Sequence, residues 1–436
     1  MTSQIRAQER NHKIIKTAWS GLAAKIITVS VSLVMVPLSV HYLGKEQYGL
    51  WVAVSSLVAM LGFMDGGAGN AVINLVAHSD GAKDNRLSKI VSTAFFSLLA
   101  LAIFGCLVFL AAFPFVPWGK LLGLSESTST TELNKVVVIV GVFFFVSMFI
   151  TLVGKIQRGL QEGNLDNFWN GVAAVLSLLF VYMSIRMNAG FVGFVVAFLA
   201  GPMLAYLASN IHYLFIRRRD LRPQLSNVDR VIAKNLFAVG GMFFVLQIAS
   251  VLQGQADNVI IANMLGAAAV TDYSICMKLF LIPPMLFGLL LTPLWPAYRE
   301  AIGSGDMQWV KQIFIKSMRA ALLISIPSAI LLVLFGGQII ALWVNHSVVP
   351  STGLLIGCGL WMVALSLGSA ATVVVNALQI MTPQVIAAVL SGVVNVLLTI
   401  WLIPQVGTEG AVYGTLISYV LCVVPIYWFF LRKVMR

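Results

Sequence analysis

The sequence predicts an all-α integral membrane protein, with twelve transmembrane helices in two pseudo-symmetric six-helix bundles around a central cavity. Three observations predict it. Of 436 residues, 59% are hydrophobic and only 10% charged, whereas a soluble domain carries about a quarter charged residues. Apolar stretches recur with short polar breaks, and each reaches the roughly 20 residues that a helix needs to cross about 30 Å of hydrocarbon. Finally, 22 of the 28 Lys and Arg residues lie in one alternate set of connections. The net charge of +12 is therefore a topological signal and not a nucleic-acid footprint.

In chain order the spans fall near residues 17–41, 48–78, 89–112, 136–156, 167–186, 190–215, 235–264, 272–298, 312–335, 352–378, 383–402 and 410–431. Span 1 follows a basic tail, MTSQIRAQERNHKIIK, and lacks the small-residue cleavage pattern of a removed signal peptide, so it serves as its own anchor. Span 2 is interrupted by GFMDGGAGN. Spans 3 and 4 are joined by PFVPWGKLLGLSESTSTTELNK, the longest outward connection, whose Ser/Thr run reads as a solvated loop. The longest inward connection, RRRDLRPQLSNVDR, joins charge to a proline and reads as a hinge, giving bundles at 1–216 and 235–436 with a cytoplasmic linker at 217–234. Span 8 carries Pro283, Pro284, Pro293 and Pro296 and cannot be straight. In the later spans Asn376 and Asn395 are lone amides, expected to make interhelical hydrogen bonds. An even number of spans puts both termini on one side, and the cation-rich side is the cytoplasm.

A weak repeat supports two halves. Leu43-Gly44 recurs as Leu265-Gly266, Asp84 as Asp306 and Lys89 as Lys311, all 222 residues apart; Leu160-Gln161 matches Leu378-Gln379, and Gly190-x-Val192 matches Gly410-x-Val412. Six spans per half give both halves one orientation, related by an axis along the membrane normal.

Four charged residues fall inside spans: Lys25, Asp65, Asp257 and Lys278. A charge at bilayer depth is costly unless it meets a partner or water, so each is a functional candidate. Lys25 lies nine residues past Lys16, about 14 Å inward at 1.5 Å per residue, on a polar stripe with Thr17, Gly21, Thr28, Ser32 and Ser39. Its plainer role is to snorkel to the inner interface. Asp65, with Asn70 close by, sits among glycines that let a helix bend and a ligand approach. That carboxylate can pair with Lys25, take a proton, or simply bond backbone freed at a kink. Span 7 aligns Gln247, Ser250, Gln253, Gly254, Asp257 and Asn258 on one face. Lys278 lies at a depth comparable to Asp257 and is expected to pair with it, or to snorkel outward. Substrate-cavity candidates are thus Lys25, Thr28, Ser32, Asp65, Asn70, Gln247, Ser250, Gln253, Asp257 and Lys278. Lys155 and Arg158, at the inner mouth of span 4, could receive a phosphate or be ordinary positive-inside residues.

Other chemistry finds little support. His12, His41, His78, His212 and His346 sit at span ends or in loops, apart from carboxylates and cysteines, so no metal is expected. Cys106, Cys276, Cys358 and Cys422 lie in apolar runs and read as small hydrophobes. There is no GxxxxGK[ST] phosphate loop and no Ser accompanied by His and an acid on one face, so neither a nucleotide, nor another cofactor, nor catalysis is expected.

The segment LGKEQYGLWVAVSSLVAMLGFMDGGAGNAV, with its LG, YGLW and Asp-Gly-Gly-x-Gly turn, resembles the polysaccharide transport family, the Wzx-type O-antigen flippases. QADNVIIANMLGAAAVTDYS, RGLQEGN and the mid-chain basic loop are similar to the family as well. The resemblance covers the whole chain in length and order of spans. It implies a flippase, not an enzyme, moving an undecaprenyl-pyrophosphate-linked oligosaccharide across a bacterial inner membrane. The implied partners are that substrate, membrane lipids, and the polysaccharide polymerase and chain-length machinery, with no nucleic acid. Membership would give Lys25, Asp65, Asp257 and Lys278 contacts with sugar and diphosphate. The scarcity of buried arginine points to a neutral or weakly acidic repeat unit.

The expected mechanism is alternating access, because sugar hydroxyls and a diphosphate cannot cross hydrocarbon without replacement hydrogen bonds and countercharge. Asp65 or Asp257 would couple transport to an ion or proton gradient. Two other readings stay open. A cation-coupled multidrug antiporter would favour acidic and aromatic linings over Lys25, and a membrane enzyme of glycan assembly would need an outward catalytic loop larger than any present.

Overall fold

The computed structural model describes residues 2–60, 67–77, 86–124, 129–291, 294–378 and 381–435, with residues 2–16, 18, 68, 70, 239, 242–253, 296, 381 and 433–435 described by backbone alone. Among these residues every regular element is a helix: α1 (Thr2–Met60), α2 (Ala68–Ala77), α3 (Arg86–Ala112), α4 (Trp118–Leu121), α5 (Thr130–Ile150), α6 (Leu152–Gly159), α7 (Gly163–Arg186), α8 (Gly190–Asn210), α9 (Arg230–Leu265), α10 (Ala267–Phe280), α11 (Ile282–Leu291), α12 (Leu294–Ser304), α13 (Met307–Trp343), α14 (Thr352–Ala377), α15 (Met381–Val406), α16 (Glu409–Ser418) and α17 (Val424–Met435), with short 3-10 and π turns between some of them.

Ten stretches of the described residues are long and apolar enough to cross a bilayer. One of them, Trp19–Met60, has 42 residues, about 63 Å of helix and so two crossings. With the 36-residue α9, this accounts for the twelve spans. The two crossings within α1 are separated at Gly44, whose φ of 73° and ψ of 172° break the helix. Its counterpart 222 residues on, Gly266, has φ 89° and ψ 165° between α9 and α10. Only glycine occupies that region without strain, so the repeated Leu-Gly marks the same turn in each half. The repeat's Asp306 caps α13, accepting from Trp309 N at 3.0 Å, and Ser351 caps α14 in the same way. Span 8 bends as its prolines require, breaking at Leu281 between α10 and α11.

The chain falls into two compact units. The first comprises Met1–Tyr42, Leu61–Trp118 and Ser127–Gln247; the second, Leu43–Met60, Gly119–Glu126 and Ile248–Arg436. Two segments of the N-terminal half, the start of span 2 and part of the loop between spans 3 and 4, thus cluster with the C-terminal helices. The core of the first unit gathers Val72, Val76, Ile90, Leu152, Ile156 and Tyr213. The basic stretch read as a hinge is fastened to this core. Leu221 and Leu236 are buried in it, Gln224 N donates to Ser92 Oγ at 3.2 Å, Asn227 Nδ2 to Ser88 Oγ at 3.2 Å, and Asp229 N to Thr93 Oγ1 at 2.9 Å. In the second unit Tyr298, Val310, Phe314 and Val374 form one core cluster, and Phe287, Leu291, Ala321 and Ala370 another.

Candidate functional site

Asp257 is the most enclosed charged side chain among the described residues, 5% exposed within the second unit. Three hydroxyls from three helices surround its carboxylate. Tyr273 of α10 donates to Oδ2 at 2.9 Å, Thr415 of α16 to Oδ2 at 2.8 Å, and Thr399 of α15 to Oδ1 at 3.2 Å. The same Thr399 hydroxyl lies 2.9 Å from Asn395 Oδ1; having one proton, it must share it between the two acceptors. Asn395 Nδ2 is buried beside the carboxylate and, among the described residues, has no partner within 3.5 Å. The site is therefore a pocket of rotatable, neutral oxygen groups around one carboxylate.

The expected pairing of Asp257 with Lys278 is not formed. Lys278 Nζ instead lies 2.7 Å from the Tyr48 hydroxyl and 5.3 Å from the centre of its ring. Helical phase explains this. Tyr273, which reaches Asp257, and Lys278 are five residues apart on one helix, about 140° around it, so they cannot serve the same group. Of the polar face predicted on span 7, Asn258 turns to Ser56 at 2.9 Å, while the side chains of Gln247, Ser250 and Gln253 lie outside the described residues, as do Asp65 and the side chain of Asn70.

In the first unit the stripe on span 1 divides. At its inner end Asn167 Nδ2 donates to Thr17 O at 3.1 Å and Ser20 Oγ at 3.0 Å, tying α1 to α7. Beyond that point Lys25, Thr28 and Ser32 are exposed, and Thr28 turns its hydroxyl to Ala24 O. On α6 Arg158 Nε lies 3.2 Å from Asp166 Oδ2 and 3.3 Å from Gly154 O, which makes Arg158 an ion-paired residue, with Lys155 one helical turn earlier. Asn376 meets Gln384 at 3.0 Å, joining α14 to α15; Asn395 faces Asp257's pocket.

Sequence reasoning missed a second constellation, at the N-terminal ends of spans 2 and 8 within the second unit. Lys45 Nζ pairs with Asp272 Oδ2 at 2.8 Å, and the Thr271 hydroxyl donates to Lys45 O. Gly49 presses on α10 so closely that a Cβ there would lie 1.7 Å from Ala267 O. Asn263 Nδ2 also donates to Lys120 O at 3.0 Å. Shifting by the 222-residue repeat maps Lys45 onto Ala267 and Gly49 onto Thr271, so the Gly49–Ala267 and Lys45–Thr271 contacts are equivalent. Spans 2 and 8 meet as an isologous pair does in a symmetric dimer. The sequence signal was available in the Leu-Gly repeat that precedes both.

Among the described residues no three His, Cys, Asp or Glu side chains gather as a metal site. The elements and sites together define a multi-pass helical membrane protein with two related halves. Its fold is similar to that of an inward-facing multidrug resistance MATE family transporter of the MOP superfamily, with 16% identity, TM-score 0.77 and coverage of 96% of this chain and 98% of that one. It is also similar to the lipid II flippase MurJ in an inward closed conformation, with 16% identity, TM-score 0.73 and coverage of 94% and 87%. Residues 14–302 match the family described as "Polysaccharide biosynthesis protein", and the chain belongs to that family, as its motifs suggested. Relatives named "Putative O-antigen transporter" occur in Shigella flexneri, 23% identical over 77% of both chains, and in Salmonella typhimurium, 23% identical over 95% of this chain and 94% of the relative.

Proposed function

We propose that the protein is a flippase carrying an undecaprenyl-pyrophosphate-linked oligosaccharide, an O-antigen or related surface polysaccharide unit, to the outer leaflet of a bacterial inner membrane. Both termini lie in the cytoplasm, and polysaccharide polymerase and chain-length machinery act on the product. The observation that carries this reading, beside family membership, is the exposed trio Lys25, Thr28 and Ser32 on a membrane-spanning helix. A lone cation facing acyl chains is unfavourable, whereas a cation with neighbouring hydroxyls supplies what a diphosphate and sugar lose on leaving water.

Transport proceeds by alternating access. The clasp of spans 2 and 8 keeps the outer ends together while substrate enters from the inner leaflet, and it parts for release. Asp257 couples the cycle to a proton or cation gradient, since a carboxylate among neutral hydroxyls gains from a bound positive charge at that depth; Asp65, Asn70, Gln247, Ser250, Gln253 and Lys278 contribute to the path, and Lys155 and Arg158 meet the diphosphate at its mouth.

A leaflet assay on proteoliposomes tests the proposal. Lys25→Ala should slow flipping about tenfold or more, the scale of a lost hydrogen bond to a charged group; an unchanged rate would remove Lys25 from the path. In cells, deletion should accumulate lipid-linked precursor on the inner leaflet. Drug sensitivity with surface glycan unchanged would select the antiporter instead.

A further inference from the structure

The stretch joining the two halves holds six of the chain's cations, Arg217, Arg218, Arg219, Arg222, Arg230 and Lys234. Two are neutralised: Arg217 pairs with Glu162 at 3.1 Å, and Arg218 forks onto Asp220 at 2.8 Å, holding that carboxyl below the usual range. Arg219 and Arg222 have no ion pair among the described residues, and both turn back toward the last aromatic of span 6. Arg219 Nε donates to Phe215 O at 3.0 Å, and the Arg222 guanidinium sits 4.6 Å above the Phe215 ring. Their charges are thereby fixed at the level where span 6 ends, the level of lipid headgroups.

Beside them are apolar side chains left exposed among the described residues. Ile216 is 63% exposed and Leu225 74% exposed. A flexible aqueous tether would be polar and loose; this one is held down by Ser88, Ser92 and Thr93 and still presents leucine outward. Basic groups interleaved with exposed apolar residues on a fixed frame are the pattern of an interfacial membrane element.

The geometry points to a strap that lies on the inner leaflet, with Leu225 inserted at the acyl boundary and Arg219 and Arg222 bound to the phosphates of anionic lipids. This inference does not depend on what the protein transports. The phosphate chemistry is shared with soluble phosphates, and the lipid is favoured because Leu225 and Ile216 need an apolar phase that a free anion does not supply.

The full chain in nanodiscs tests it. Leu225→Cys, in a background where the part-exposed Cys106 and Cys422 are replaced by Ala, carries an environment-sensitive fluorophore. With phosphatidylglycerol present, the label should emit as from an apolar medium and be quenched by lipids bearing a nitroxide near the headgroup. Arg219→Gln with Arg222→Gln should reduce the dependence on phosphatidylglycerol about fivefold or more, because each basic group at an anionic surface contributes on that scale. Native mass spectrometry of retained phosphatidylglycerol gives the same comparison without the label. Water-like emission in every lipid would overturn the proposal. So would a response to added soluble pyrophosphate without one to lipid composition, or anionic-lipid retention untouched by the arginine pair.

Discussion

Asp257→Asn is expected to give a folded protein whose transport no longer responds to an ion gradient. An asparagine occupies the same volume, and its carbonyl oxygen can still accept from Tyr273 and Thr415, which now reach Oδ2 at 2.9 Å and 2.8 Å. It cannot carry the negative charge that a proton or cation would neutralise. In proteoliposomes with an imposed pH or sodium gradient, stimulation of flipping should fall about tenfold or more, the range of typical coupling free energies, with melting temperature nearly unchanged. Asp257→Ala should do something further. It removes the acceptor of the buried Tyr273 hydroxyl, and a donor left unmatched costs about 1–3 kcal/mol, while Thr399 and Thr415 fall back on Asn395 Oδ1 and Ala411 O, so this variant should lose stability as well as coupling. Full gradient stimulation in a folded Asp257→Asn protein would show that the pocket only cements helices together.

The contrast between what the sequence made legible here and what it did not has a physical basis. Span positions follow from apolar run length, and the two Leu-Gly turns follow from Gly44 and Gly266, because only glycine fits their backbone. Asp257 stood out as a carboxylate in an apolar run. Its partners did not, because Thr399 and Thr415 lie 142 and 158 residues away. Threonines and serines in membrane helices commonly bond their own backbone one turn back, as Thr28 and Ser366 do here. Thr415 itself also reaches Ala411 O one turn back, at 3.1 Å, so nothing local separates it or Thr399 from those that meet no carboxylate. Equal depth does not fix rotation about the helix, which is why Asp257 and Lys278 do not pair. Lys45 and Asp272 lie at span ends, where charges are expected to be solvated, and only the three-dimensional fold brings these two within 2.8 Å.

Gly49→Leu is expected to hold the outer ends of spans 2 and 8 apart. The obstruction would be backbone: a Cβ at residue 49 falls 1.7 Å from the Ala267 oxygen and 2.6 Å from its carbonyl carbon, and no rotamer change relieves that. Because the Gly49–Ala267 and Lys45–Thr271 contacts are equivalent under the repeat, separating one should draw the other apart with it. Val270, fully buried on α10, provides a reporter. Val270→Cys should react slowly with a membrane-impermeant maleimide from outside, and about tenfold faster or more when Gly49→Leu is added, while flipping falls because the cycle cannot return to its outer-closed state. Lys45→Gln with Asp272→Asn should have a smaller effect, since the pair is partly exposed, at 38% and 21%, and such bridges contribute about 1 kcal/mol or less. The ranking of the two variants separates the causes. If the clasp is held by close backbone approach, the leucine is the stronger lesion; the reverse order would mean that charge closes it, and an unreactive Val270→Cys in the presence of Leu at 49 would mean that these ends do not gate the outer face.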